Sequence, residues 1–118
     1  MIEKAVAALK ADKARAIDMF NKGEGGFKDR DLYVFCFNVA NGKLIAGQAS
    51  LLGTDVRTLK DKSGKMFGEE VFNSAKEGAF TEVGYMFPRP GQTELVQKVS
   101  YVTKIGDIGC GVGYYNRT

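Results

Sequence analysis

The stretch DLYVFCFNV, residues 31–39, decides the fold class of this 118-residue chain. Apolar side chains occupy both of its alternating faces, which is typical of a strand that is covered on both sides. It therefore predicts a strand inside a sheet. Asn41 and Gly42 follow almost at once and form the strongest short signal for a hairpin, so a second strand is expected over residues 43–48.

Helical and extended patterns flank this hairpin. Before it, apolar residues recur at helical spacing and predict one amphipathic helix over residues 1–22. After it, an irregular segment leads to a short helix over residues 63–75. Three more strands are predicted over residues 80–87, 93–104 and 107–115.

The order of these elements indicates the fold class. Antiparallel hairpins with helices set around one sheet predict an α+β architecture. Neither a linker nor an internal repeat interrupts the chain. We expect one domain over residues 1–118, consisting of the N-terminal helix 1–22 and a core at 31–115.

The composition excludes several classes of function. Histidine is absent, which removes the commonest general base and the commonest metal ligand, and two distant cysteines do not indicate a structural zinc site. Basic and acidic residues alternate, so no nucleic-acid-binding stripe forms. The glycine-rich stretch at 23–27 lacks the Lys-Ser/Thr ending of a phosphate-binding loop. We expect no enzyme, no cofactor and no metal, and nothing in the sequence supports Lys98 as a Schiff-base former.

The sequence contains no pattern for crossing or entering a membrane. No apolar run approaches the ~20 residues of a membrane span, and no signal-peptide pattern precedes the first helix. The chain is therefore expected to be cytoplasmic, or to have lost an export signal or an anchor.

Five segments in order resemble the single Cache domain of type two. They are DLYVFCFN…NGKLIA, LLGTDVRTLKDKSGKMFGEEV, EVGYMFPRP, KVSYVTKI and GVGYY, within residues 27–115. The resemblance implies a PAS-like five-stranded antiparallel sheet, with the long helix on one face and a short helix and loop on the other. It also implies an extracytoplasmic bacterial sensor module of signal transduction and chemotaxis. Such modules bind small molecules, often short carboxylates, between the sheet and a segment that corresponds here to residues 51–78.

The chain departs from the family pattern at two places. Where the family often has Ala-His-Pro at the end of the second strand, with the histidine reaching the pocket, residues 46–48 are Ala-Gly-Gln. Where the family often has Tyr-x-Trp in the third strand, residues 85–87 are Tyr-Met-Phe. The polar groups of the pocket therefore differ, and the identity of the ligand does not carry over from relatives.

Strand periodicity and the resemblance together indicate a ligand-binding site for a small, anionic molecule. Alternate residues of a strand share a face, which groups aromatic side chains of the first and third strands. Lys98 lies in an apolar strand, so its ammonium must either reach water or meet an anion. The candidate ligand-binding residues are Tyr33, Phe35, Tyr85, Phe87, Arg89, Lys98 and Ser100.

Several of these residues also have a simpler interpretation. Core packing accounts for Phe87, and less readily for the tyrosines, whose buried hydroxyls need partners. Arg89 lies between the two prolines of YMFPRP and is either a carboxylate-binding group or a solvated surface arginine. Three alternate glycines of the last strand, at positions 109, 111 and 113, form either the floor of a pocket or a surface for close helix packing.

The resemblance also bears on the two cysteines. Cys36 and Cys110 lie on strands that the family places side by side, so they form a disulfide if their faces coincide. This bond would agree with an oxidising periplasm, and two buried free thiols are the alternative.

The resemblance bears on assembly as well. PAS-like domains often pair through their first helix, so a homodimer is expected, and a free-standing periplasmic interaction module without a metabolite ligand is the alternative function. Because the chain stops soon after the last strand, we expect a sensor domain cut from a receptor or a free-standing periplasmic protein.

Overall fold

The fold is the α+β arrangement that the sequence predicts, with helices on both faces of one antiparallel sheet. The computed structural model describes residues 2–29, 32–47, 49–60, 64–88 and 92–115. Within this part of the chain, no helix is both long and apolar enough to cross a bilayer.

In the described part of the chain the sheet has six strands, of which β1 and β3 are short. Its spatial order is β1-β2-β6-β5-β4, and β3 pairs with β2 on the same side as β1. The last strand therefore lies in the middle of the sheet, next to the first long strand, as in PAS-like domains. The bounds are β1 Lys28–Asp29, β2 Leu32–Asn38, β3 Leu44–Ala46, β4 Thr81–Pro88, β5 Leu95–Ile105 and β6 Ile108–Tyr115.

The N-terminal segment forms two helices, so the prediction of one helix over residues 1–22 is wrong. They are α1, Ile2–Ala11, and α2, Lys13–Lys22. Asp12 between them has an extended backbone, and its side chain accepts a hydrogen bond from the Arg15 backbone N–H at 3.2 Å. An aspartate in this position caps a new helix. This local hydrogen bond interrupts an amphipathic pattern that otherwise continues across the junction.

The helices α1 and α2 cover one face of the sheet, which we call the α1–α2 face. Alternate side chains of β2 and β6 point to this face and pack against the apolar sides of both helices. Cys36 and Cys110 are directly opposite each other in the register, and their sulfur atoms are bonded at 2.09 Å. The buried core residues are Ile2, Ala5, Leu9, Ala16, Phe20, Phe27, Val34, Cys36, Ala46, Ile108, Cys110 and Val112.

The opposite face, which we call the α3 face, is covered by a short helix and an irregular segment. Helix α3, Phe67–Ser74, is shorter than the helix predicted over 63–75, because the described residues 64–66 before it and Ala75 after it are not helical. Two 3₁₀ turns, Ala49–Leu51 and Val56–Thr58, precede it. The buried core here is a second, separate cluster consisting of Phe37, Leu44, Val56, Phe67, Val71, Val83, Tyr85 and Val102.

Candidate functional site

A cavity of about 40 Å³ lies between the α3 face and the segment that crosses it. One buried water needs roughly 10–15 Å³ by this measure, so the cavity has room for about three. It therefore fits a molecule with only a few non-hydrogen atoms. Its walls are formed by Tyr33, Phe35, Leu44, Ala46, Gly47, Leu51, Val56, Leu59, Phe67, Val71, Tyr85, Phe87 and Lys98.

Lys98 carries the one charged side chain among these described lining residues. It lies on β5, is only 2% exposed, and its Nζ donates a hydrogen bond to the Tyr33 hydroxyl at 3.3 Å. No carboxylate in the described residues forms an ion pair with it. Burial disfavours the ammonium and lowers the pKa of Lys98 to about 7. The described residues thus leave this amine without a counter-charge.

Aromatic rings surround the Lys98 amine. Its Nζ lies 4.7 Å from the centroid of the Tyr33 ring, 4.9 Å from those of Phe87 and Tyr115, and 5.8 Å from that of Tyr85. The π faces attract a cation and so oppose part of the effect of burial on the pKa. Both the ammonium and the neutral amine are therefore accessible near neutral pH.

The Tyr85 side chain forms a rigid wall of the cavity. Its ring stacks on Phe67 with a centroid distance of 4.1 Å, and its hydroxyl lies 2.7 Å from Ser100 Oγ. Burial raises the pKa of Tyr85 above its usual value, so this hydroxyl stays neutral. A hydroxyl has one donor and two acceptor sites, so Tyr85 keeps hydrogen-bonding capacity for a ligand beside its bond to Ser100.

The glycines of β6 lie on the α3 face, beneath side chains of the protein itself. Gly109 pairs with Phe37 and Gly111 with Phe35 across the β2–β6 ladder. A Cβ atom added to Gly109 would overlap the Phe37 ring, and one at Gly111 would lie 2.5 Å from Cζ of Phe35. These positions therefore provide space for the phenyl rings to lie flat over β6. Gly109 and Gly111 therefore form neither the floor of a pocket nor a surface for close helix packing, because the two phenyl rings cover them.

Gly113 provides space for the Lys98 side chain in the same way. It pairs with Ser100 in the β5–β6 ladder, and a Cβ there would overlap Cε of Lys98 and lie 2.9 Å from Ser100 Oγ. The lysine stem thus crosses the sheet over Gly113 on its way to the cavity. A side chain at this position would displace the amine.

The structure brings most of the predicted site residues together. Ser100 lies behind Tyr85 and does not line the cavity, so it positions the tyrosine. Arg89 lies outside the described residues. The candidates that line the cavity are Tyr33, Phe35, Tyr85, Phe87 and Lys98.

The sequence analysis did not identify the apolar cavity-lining residues that come from β3, the irregular segment and α3. Leu44 and Ala46 alternate along β3, and this period of two is a signal that could have found them. Gly47 follows at the position where the family often has its histidine, and it contributes no side chain to the cavity. The irregular segment has no such periodicity and contributes Leu51, Val56 and Leu59. Helix α3 contributes Phe67 and Val71, which lie one turn apart.

The irregular segment is held over the cavity by close contacts. The Gly68 backbone N–H donates to the Leu59 carbonyl at 3.1 Å, and a Cβ at Gly68 would overlap the Val56 carbonyl oxygen. Helix α3 therefore packs directly against the backbone of this segment. The position requires glycine because any side chain there would push the two apart.

The Arg57 side chain ties the same segment to the hairpin. Nη2 of Arg57 lies 2.7 Å from the Asp55 carboxylate and donates to the Asn41 carbonyl at 3.1 Å. The guanidinium also lies 4.9 Å from the centroid of the Phe72 ring on α3. The hydrogen bonds from Arg57 hold the pKa of Asp55 below its usual value. The Arg57 side chain thus links the hairpin turn, the irregular segment and helix α3.

Comparison with known proteins identifies the family. A family model described as the Cache domain matches residues 7–117, which is nearly the whole chain. The chain belongs to the Cache domain family. No curated protein matches the sequence.

Solved structures share the fold at low sequence identity. A methyl-accepting chemotaxis protein from Vibrio parahaemolyticus superposes with a TM-score of 0.75 and 20% identity, over 97% of this chain and 82% of that one. A periplasmic sensor domain of a chemotaxis protein gives 0.77 and 22%, over 98% and 88%. A Cache chemosensory domain described for carboxylic acid recognition gives 0.72 and 23%, over 98% and 84%. These likenesses show the fold.

Proposed function

We propose that this chain is an extracytoplasmic sensor domain of a bacterial signal-transduction or chemotaxis system and that its cavity binds a short carboxylate. The observation that carries this proposal is Lys98, a buried amine at the cavity wall with no carboxylate partner in the described residues. An unpaired buried charge costs several kcal/mol. A bound carboxylate supplies the missing partner, so the domain acts as a binding module and not as an enzyme.

The shape and lining of the cavity indicate which carboxylates fit. A volume of about 40 Å³ suits acetate or propionate and excludes large ligands. The carboxylate would accept hydrogen bonds from Lys98 and from the Tyr33 or Tyr85 hydroxyl. The alkyl end would lie against Leu44, Val71 and the other apolar wall residues. Exclusion of water by these walls strengthens the polar contacts.

Two further observations support an extracytoplasmic location. The bond between Cys36 and Cys110 suits an oxidising compartment such as the periplasm. One of the structures with the same fold is a periplasmic sensor domain, and another is a Cache domain described for carboxylic acid recognition. The proposal includes export of the chain to this compartment and pairing of two chains through α1 and α2.

Calorimetry with acetate and propionate tests the proposed site. Replacing Lys98 by methionine keeps most of the stem and removes the charge. The Lys98→Met variant should bind the carboxylate roughly 1.5–3 kcal/mol more weakly, which is the contribution of a charged hydrogen bond. Lys104→Met is the matched control, because Lys104 lies on the same strand outside the cavity lining. Its affinity should equal that of the unmodified protein.

Two results would count against this function. Equal carboxylate affinity in the Lys98→Met variant would show that the ammonium is not the partner of the anion. If no short carboxylate raises the melting temperature of the unmodified domain, the dimeric interaction module without a metabolite ligand becomes the better interpretation. Light scattering then measures whether the chain is a dimer.

A further inference from the structure

We propose that the Lys98 amine also captures small aldehydes or ketones inside the cavity as a reversible imine. This would be a covalent site for carbonyl compounds. It uses the neutral form of the amine, whereas carboxylate binding uses the ammonium. The inference does not require the proposed function, although both ligands would occupy the same cavity.

The surroundings of the amine carry the inference. Lys98 is buried, lines the cavity and has no ion-pair partner among the described side chains. Burial lowers its pKa to about 7, so a large share of neutral amine is present at neutral pH. A lysine desolvated in an apolar pocket is an activated nucleophile. Exposed lysines, such as Lys10 on α1, lack this environment.

The reaction balances with groups that are present. The lone pair of Nζ attacks the carbonyl carbon, one proton passes from the nitrogen to the carbonyl oxygen, and a carbinolamine forms. The hydroxyl then takes up the second proton of the nitrogen and leaves as water, which gives the imine without any oxidant or reductant. The Tyr33 hydroxyl lies 3.3 Å from Nζ and is close enough to exchange these protons.

The cavity also suits the product. Its volume of about 40 Å³ accepts acetaldehyde together with the water released. The rings of Tyr33, Tyr85 and Phe87 line the space around the new bond. Their apolar surface limits access of bulk water, and so slows hydrolysis of the imine. Entry is possible beside Gly47, Leu51 and Leu59, which are only partly buried.

Reductive trapping of the full chain tests the inference. The protein is incubated with acetaldehyde at neutral pH, the imine is reduced with sodium cyanoborohydride, and modified lysines are located by peptide mass spectrometry. We expect the initial rate at Lys98 to exceed that at Lys10 by roughly tenfold or more. The Lys98→Arg variant keeps a cation but forms no imine, so its adduct at this position should be absent and its other lysines should react unchanged.

Competition with acetate separates the two proposals. If acetate slows modification of Lys98 and not of Lys10, both ligands use the cavity and the inference stands. If Lys98 reacts rapidly and acetate has no effect, the imine site stands and the carboxylate site does not. If Lys98 reacts no faster than Lys10, the imine proposal is overturned whatever acetate does.

Discussion

The two faces of the sheet differ in chemistry although their residues alternate along the same strands. On the α1–α2 face, β2 and β6 contribute a disulfide and apolar side chains that pack without polar interruption. On the α3 face, the same two strands contribute aromatic rings and glycines, and β5 adds a buried lysine and serine. One face therefore serves stability, and the other holds a cavity with an amine that no described carboxylate neutralises.

This contrast shows how a small domain combines a crosslinked sheet with a cavity. Cys36 faces the helices, while its neighbours Phe35 and Phe37 face the cavity side. A change at one residue thus affects one face, and a change at the next affects the other. Substitutions on the two faces should separate stability from binding.

Removal of the disulfide should have the largest effect. The bond closes a loop between residues 74 positions apart. In the chain-entropy account such a crosslink stabilises a fold by about 4 kcal/mol. The double substitution of Cys36 and Cys110 by alanine should lower the free energy of unfolding by this amount, measured by urea titration. Because the bond lies on the α1–α2 face, carboxylate affinity should change little under conditions where the variant stays folded.

Thiol labelling provides the control for that comparison. The untreated protein, denatured without a reductant, should take up no alkylating reagent. Two alkylated cysteines, or an unchanged urea midpoint in the double variant, would show that the α1–α2 face does not depend on the crosslink.

Substitution of Gly109 should have a smaller effect on the other face. A Cβ there would overlap the Phe37 ring, which is fully buried. Overpacking of this kind costs about 1–3 kcal/mol. Gly109→Ala should therefore lower the urea midpoint. Gly84→Ala on β4 is the matched control, because nothing lies within 4 Å of a Cβ at Gly84. A loss in Gly84→Ala as large as in Gly109→Ala would mean that strand glycines matter here for reasons other than space.

The pH dependence of carboxylate binding should be the subtlest effect. The pKa of Lys98 is lowered to about 7 in the free domain, and a bound carboxylate raises it again because it favours the ammonium. Binding then takes up a proton above pH 7. Affinity for acetate should be greatest below about pH 7 and fall by roughly tenfold per pH unit well above it. Calorimetry across pH measures this directly.

The lowered pKa of Lys98 also predicts how the stability of the ligand-free domain changes with pH. Between about pH 7 and the ordinary lysine pKa of about 10.4, the unfolded chain binds the proton that the folded chain has lost. Stability should therefore decrease as the pH falls towards 7. The titratable groups that face the amine in the described residues are Tyr33, Tyr85 and Tyr115, and no carboxylate faces it.

The affinity prediction has its own control. If the affinity for acetate did not change with pH, Lys98 would be charged throughout. The Lys98→Arg variant stays charged, so its affinity should not change with pH.

Most of the fold could be predicted because its signals are local. Two-sided apolar character marks β2 and a turn pair marks the hairpin, so both appear in a window of a few residues. The break at Asp12 was missed because one capping hydrogen bond outweighs the amphipathic pattern around it. The site was predicted in part. Periodicity groups Tyr85 with Phe87 and Lys98 with Ser100 within their own strands, whereas Leu59 reaches the cavity from a segment with no period.

The sequence by itself determined the main strands and the hairpin, because side-chain alternation and turn chemistry act between near neighbours in the chain. The resemblance of five segments in order indicated the family. Only the tertiary structure decided what surrounds Lys98. The desolvation of its amine and the aromatic rings around it depend on β2, β4 and β6 meeting at one place. The size of the cavity likewise depends on Gly68, which sets how closely α3 approaches the segment above the sheet. These are properties of distance and volume between distant segments, and no local pattern contains them.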